Sequence, residues 1–196
     1  MTAEDRRAAI LRASKKLFTE RGFRGTTTRA LAEAVGVTEP VLYEHFKSKR
    51  ELYAALVDKE SSEQMARARD LLEPLALAKD DRAVFLGIGE FILRTYAENQ
   101  PYSRLLLSVA LDDPDLGKIC YDRQREGREA VAAYLSERIA DGVFRAVDPA
   151  LAARAFLAMV SHYGMTGMLY RDDLVAGTQQ QVLEQMVDLF LRGISK

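Results

Sequence analysis

The sequence has one cysteine, Cys120, and no tryptophan. A single thiol excludes an intramolecular disulfide and a zinc site built on cysteines, and it suits a reducing cytoplasm. Cys120 reads as a small apolar residue, since a redox role needs a lowered thiol pKa. Only two histidines are present, His45 and His162. No Ser-His-Asp ordering, phosphate-cradling glycine loop or metal-ligand cluster emerges, so no catalytic residues, metal or cofactor are expected. The carboxylate pairs Asp112/Asp113 and Asp172/Asp173 fall in turn-like segments and read as solvated surface. Twelve glycines and five prolines in 196 residues are too few for a linker-rich or disordered chain. Long apolar runs are missing too. The longest stretch without a charged residue, Ala155 to Tyr170, has 16 residues and includes Ser161, His162, Tyr163 and Thr166. A membrane span needs about 20 apolar residues, so a buried helix is the better reading. The charged start, Met1 to Arg7, is not that of a targeting signal.

What is present is helical periodicity almost throughout, with nearly no strand alternation. The fold class is all-α, with about nine helices. A first helix spans about 3–20, with Ile10, Ala13, Leu17 and Phe18 on its apolar stripe and Gly22 as its stop. Leu31, Ala32, Ala34 and Val35 make a short second helix ending at Gly36. Thr38 caps a third, about 39–46. Ser48 and Glu51 form a capping box that opens a long fourth helix to about Leu72, where Pro74 limits extension. A fifth helix covers about 82–99. Pro101, Pro114 and Pro149 suit the first turns of later helices, and Gly142 closes the one that Pro114 opens. Thr178 and Gln181 cap the last.

Net charge is near zero, 28 basic against 29 acidic residues, but unevenly spread. Through Glu60 the balance is 12 basic to 9 acidic; beyond it, 16 to 20. That points the N-terminal part toward an anionic partner. The segment Thr27 to Lys49 has the helix-turn-helix pattern: two short helices joined by a turn that needs Gly36 for its left-handed backbone. Leu42 and Phe46 anchor the second helix, leaving Pro40, Val41, Tyr43 and Glu44 outward for a major groove. Thr27, Thr28, Thr38, Tyr43 and His45 carry donors for phosphates, and Lys49 adds a cation at a helix start.

The ordered string Thr27, Thr28, Arg29, Leu31, Ala32, Val35, Gly36, Val37, Thr38, Leu42, Tyr43, His45, Phe46, Ser48, Lys49 and Leu52 resembles the tetracycline-repressor (TetR) family of bacterial transcription regulators. With Ile10, Ala13, Leu17, Phe18, Gly22 and Phe23, the resemblance covers about the first 55 residues. It implies a helix-turn-helix domain at 1–48 and a larger helical ligand-binding and dimerisation domain at 49–196, with helix four as connector. It implies a homodimer on an inverted repeat of double-stranded DNA, released by a small organic ligand. By position, the DNA-facing set is Thr27, Thr28, Arg29, Thr38, Glu39, Pro40, Val41, Tyr43, His45 and Lys49. Two acids on the reading helix sit awkwardly there, Glu39 and Glu44. Glu39 suits either the favourable charge of a helix's first turn or an acceptor for cytosine N4.

The last two helices resemble the family's dimer interface, expected at Phe156, Tyr163, Gly167, Tyr170, Met186 and Phe190; an ordinary core contact is the competing reading. A pocket of apolar walls with a few polar tips suits a small organic ligand. Its expected residues are Phe85, Gly89, Ile92, Tyr96, Tyr121, Gln124 and His162, each of which also reads as core or surface. Gly87 and Gly89, inside helix five, imply that something comes close. An enzyme fits poorly. A helical small-molecule-binding or interaction protein without useful DNA affinity is the alternative function.

Overall fold

The computed structural model describes residues 2–170 and 176–196; the pair Asp172/Asp173 lies outside them. Ten helices occur among the described residues: α1 Ala3–Gly25, α2 Thr28–Val35, α3 Glu39–His45, α4 Lys49–Leu77, α5 Asp81–Glu98, α6 Gln100–Asp112, α7 Pro114–Arg123, α8 Arg125–Ala140, α9 Pro149–Tyr170 and α10 Gln179–Ile194. The all-α expectation is met. The count exceeds nine because the helix expected from Pro114 to Gly142 breaks at Gln124. The break falls where the chain leaves one compact unit for another, with Leu116 buried in the first and Val131 and Leu135 in the second. No described helix is long and apolar enough to cross a membrane.

The first unit comprises residues 1–63 and 101–123. Thr2 and Asp5 close a capping box at the start of α1. The spacing of Ile10, Leu11, Ser14, Leu17 and Phe18 turns one face of α1 inward. Gly22, at φ +72°, kinks the helix where the sequence places its end, and helical residues resume to Gly25. The core is ring-rich: Phe18, Phe23 and Tyr53 lie 5.4–6.2 Å apart between centroids. Tyr102, Leu105 and Val109 of α6 and Leu116 of α7 are buried in this same core. Each such side chain contributes about 1.5–3 kcal/mol on burial, which is why α6 and α7 cluster with the N-terminal helices and not with the rest of 49–196.

The second unit comprises residues 64–100 and 124–196. α4 runs past Pro74 to Leu77, further than the sequence suggests. Pro74 and Asp70 are both exposed, so water can serve the Asp70 carbonyl that the missing proline N–H leaves without its helical partner. Lys79, at φ 55°, turns the chain instead. Phe85, Phe156 and Phe190 form a ring cluster with centroids 4.9–5.0 Å apart. At Gly89 a Cβ would meet Leu183 Cδ1 at 2.3 Å, so the glycine is what lets α10 approach α5 so closely. The nearly buried Arg138 bonds Asp81 through Nε (2.7 Å) and Nη2 (3.0 Å) and Asp141 through Nη1 (2.7 Å), while the Tyr134 hydroxyl donates to Asp81 at 2.6 Å.

Candidate nucleic-acid interface

The turn between α2 and α3 is built as a helix C-cap. Gly36 adopts φ 71°, ψ 34°, a region that penalises a Cβ. Its N–H reaches Glu33 O and that of Val37 reaches Ala32 O, the double closure of a Schellman motif. Leu42 and Phe46 are both 2% exposed, which fixes the inner face of α3. Tyr43 is 45% exposed on the opposite face, with Pro40 and Glu44 also exposed and Val41 and His45 partly so. A seven-residue helix whose inner side is locked and whose outer side carries an aromatic and polar face has the shape for a major groove.

Side chains from other elements hold α3 in its pose. The Arg7 Nη1 donates to His45 O at 3.0 Å, and its guanidinium lies 4.2 Å from the Phe46 ring centroid. The Thr26 hydroxyl, on a fully buried residue, shares its one proton between Gly22 O (2.8 Å) and Leu17 O (3.1 Å), tying the α1–α2 link across the Gly22 kink. Neither role was legible in the sequence. Both depend on how helices distant in sequence cross, and a basic residue at the fifth position of a helix carries no local sign of it.

The expected DNA-facing residues divide by what their polar groups already do. Thr27 is the α2 N-cap, its Oγ accepting from Ala30 N–H at 3.1 Å, which leaves the hydroxyl proton free to donate. The Thr28 hydroxyl donates to Glu39 Oε1 at 2.6 Å. Arg29 pairs with Glu33 at 2.9 Å, and that bond raises the guanidinium pKa. Thr38 is exposed, and its side chain makes no cap bond. Lys49 is placed differently from the expectation. Its Nζ donates to Phe23 O (2.9 Å) and Thr26 O (3.0 Å) and lies 4.5 Å from the Phe23 ring centroid. Burial lowers its pKa. Ser48 caps α4 through Glu51 N–H at 3.1 Å, but Glu51 bonds back to Lys47 N–H, one residue before the box predicts.

The other expected sets are only partly brought together. Phe85, Gly89, Ile92 and Tyr96 share a face of α5, but Phe85 lies in the ring cluster and Gly89 faces Leu183. Tyr96 lies where a Cβ on Gly164 would touch it, at 2.7 Å, and burial raises its hydroxyl pKa. Tyr121 is exposed on α7, in the first unit; Gln124 and His162 are exposed in the second. Burial pushes the Cys120 thiol up to about 11. Of the expected interface set, Phe156 is 0% exposed inside its own unit, so it has no surface to offer a partner. Tyr163, Met186 and Phe190 are half-buried against the same core. Gly167 and Tyr170 are exposed. The outward stripe of α9 is instead Leu151, Ala155, Ala158 and His162, and α10 exposes Leu189 at 70%. The seven-residue spacing therefore runs from the buried Phe156 through the half-buried Tyr163 to the exposed Tyr170 and does not keep to one face of α9.

Residues 10–56 match the family model of the bacterial regulatory proteins of the TetR family. Residues 86–193, more than half of the chain, match that of the AefR-like transcriptional repressor C-terminal domain. The chain belongs to the TetR family. Among its relatives is the HTH-type transcriptional repressor KstR2 of Mycobacterium tuberculosis, 29% identical over 197 residues, covering 97% of this chain and 94% of the relative. Another is the uncharacterised HTH-type regulator YvkB of Bacillus subtilis, 26% identical over 95% of each chain. The solved structure of the flavonoid-responsive regulator FrrA superposes with a TM-score of 0.79 at 27% identity, covering 98% of each chain. This TetR-family chain is thus a transcriptional regulator of helix-turn-helix type, and the first-helix-to-Leu52 resemblance read from the sequence is upheld.

Proposed function

We propose that this chain is a homodimeric cytoplasmic repressor and not an enzyme. Each subunit reads half of an inverted repeat with α3, and a small organic ligand held by the helices beyond α4 releases the DNA. The observation that carries the DNA role is the α3 face, with Leu42 and Phe46 locked inward and Tyr43 held out. Pro40, Val41, Tyr43 and His45 face the bases and sugars. Thr27, Thr28, Arg29, Thr38 and Glu39 border the phosphates, and Lys49 acts by positioning the head. Functionally the division stays near residue 48, although α6 and α7 pack with the head. The exposed apolar stripe of α9 and Leu189 of α10 supports dimerisation through these two helices. The names of KstR2, described as a ketosteroid transcriptional regulator, and of FrrA support an apolar, ring-bearing ligand.

The test is selection of bound duplexes from a random pool with competitor DNA at near-physiological salt. The expected product is an inverted repeat whose half-sites lie about one helical turn, or a multiple, apart. Folded dimeric protein that enriches no sequence refutes the operator-reading role.

A further inference from the structure

Thr28 and Glu39 are 11 residues apart, one at the first position of α2 and the other at the first of α3. The bond between them is 2.6 Å long and partly buried. It consumes the one proton that the Thr28 hydroxyl has to give. Thr27 beside it keeps its proton, because it accepts from Ala30. Two adjacent threonines at the edge of the reading head thus differ. One is ready to donate to a phosphate, and the other already holds an anion of the protein's own.

We propose that Glu39 is a specificity-determining residue, a carboxylate standing in for a DNA phosphate at Thr28. The inference rests on the DNA-reading role proposed above. Phosphate contacts position a protein without regard to sequence, while base-edge contacts specify. A carboxylate lodged on a phosphate-facing hydroxyl subtracts from the first kind of contact at every site. It repels the backbone, and its own hydrogen bond must be broken before Thr28 can serve DNA. Only a base that offers an amino donor in the major groove, such as cytosine through N4, gives the displaced carboxylate a new partner. The penalty on random DNA is therefore relieved at selected sequences, which turns lost affinity into discrimination. It also gives an acid on a groove-facing helix a use.

The experiment compares Glu39→Gln with Glu44→Gln, an exposed acid on the same helix. Glutamine at 39 keeps an oxygen for Thr28 and loses the charge. Affinity for the selected operator and for random-sequence duplex is measured by fluorescence anisotropy, with circular dichroism confirming the folds. Like unit charges about 6 Å apart at an effective ε of about 40–80 predict about a three- to tenfold gain on random duplex per reading head. Operator affinity gains less, so the specificity ratio falls for Glu39→Gln. Glu44→Gln raises both affinities alike and keeps the ratio. The proposal is overturned if Glu39→Gln moves operator and random DNA by the same factor, or moves neither. If the unsubstituted chain selects no operator, the DNA-reading role itself fails and the role of Glu39 falls with it. An operator selected by a protein indifferent to Glu39→Gln removes the role of Glu39 alone.

Discussion

A phosphate contact and an internal staple make different demands on the Lys49 ammonium, and Lys49→Met separates them. Methionine keeps the apolar stem and removes the charge. The structure commits Nζ to two carbonyls, Phe23 O at 2.9 Å and Thr26 O at 3.0 Å, and to the Phe23 ring. Hydrogen bonds from a charged donor are worth about 1.5–3 kcal/mol each, and a cation–π contact at a wet site about 0.5–1 kcal/mol. Water solvates the ammonium in the unfolded chain and still reaches the partly buried Lys49 in the folded one, so much of this cancels. The burial it does have lowers its pKa and offsets part of the rest. The balance is a loss of about 1–2 kcal/mol. With an m-value of about 2 kcal/mol/M, the urea midpoint falls by about 0.5–1 M. The second readout is operator affinity against salt. A staple that stays on its carbonyls leaves the slope of log K on log salt unchanged. A phosphate contact, once removed, lowers that slope by about 0.9 per head. An unchanged urea midpoint together with a reduced slope refutes the staple.

The dimer surface is tested by two substitutions with opposite expected outcomes. Leu189→Arg, at a position 70% exposed, gives a folded monomer by sedimentation; a dimer that persists refutes the α10 surface. Phe156→Ala removes a fully buried ring lying 4.9 Å from Phe85 and 5.0 Å from Phe190, and costs about 3–5 kcal/mol in thermal unfolding. A cost under about 1 kcal/mol would put that ring at a surface. Acid sensitivity is expected at Asp113, whose carboxyl the Arg50 guanidinium and then the Leu116 N–H hold below its ordinary 3.8. Its folded pKa is the lower one, so the unfolded chain binds the proton more readily. The contribution is complete above pH about 5 and is lost as pH falls through the folded value. Asp113→Asn therefore narrows toward the parent in unfolding midpoint as the pH drops below about 4; a gap that stays constant contradicts this.

Much of the fold was readable because its signals are local. Gly22 and Gly36 take the positive φ that their places in the sequence demand, and the Thr178–Gln181 box closes as its spacing predicts. Pro101, Pro114 and Pro149 each stand in a helix's first turn. What failed was non-local. The break at Gln124 follows from which core Leu116 and Leu135 join, and no residue at the break announces it. Pro74 has the local signature of a terminator, but its tolerance depends on exposure, which tertiary packing sets.

The site divides along the same line. That Leu42 and Phe46 point inward and Tyr43 outward follows from helical periodicity alone, and the structure agrees. Which polar groups remain available to DNA does not follow, because availability depends on partners from other elements. Thr27, Thr28 and Lys49 look alike as phosphate contacts in the sequence. One keeps its proton, one gives it to Glu39, and one spends its charge on the carbonyls of Phe23 and Thr26. The head therefore presents fewer uncommitted phosphate donors than its threonines and lysine suggest. A head so restrained must draw more of its operator affinity from base contacts on α3, since phosphate contacts serve every sequence equally. Its discrimination should therefore exceed that of a head in which all three groups are available to the backbone.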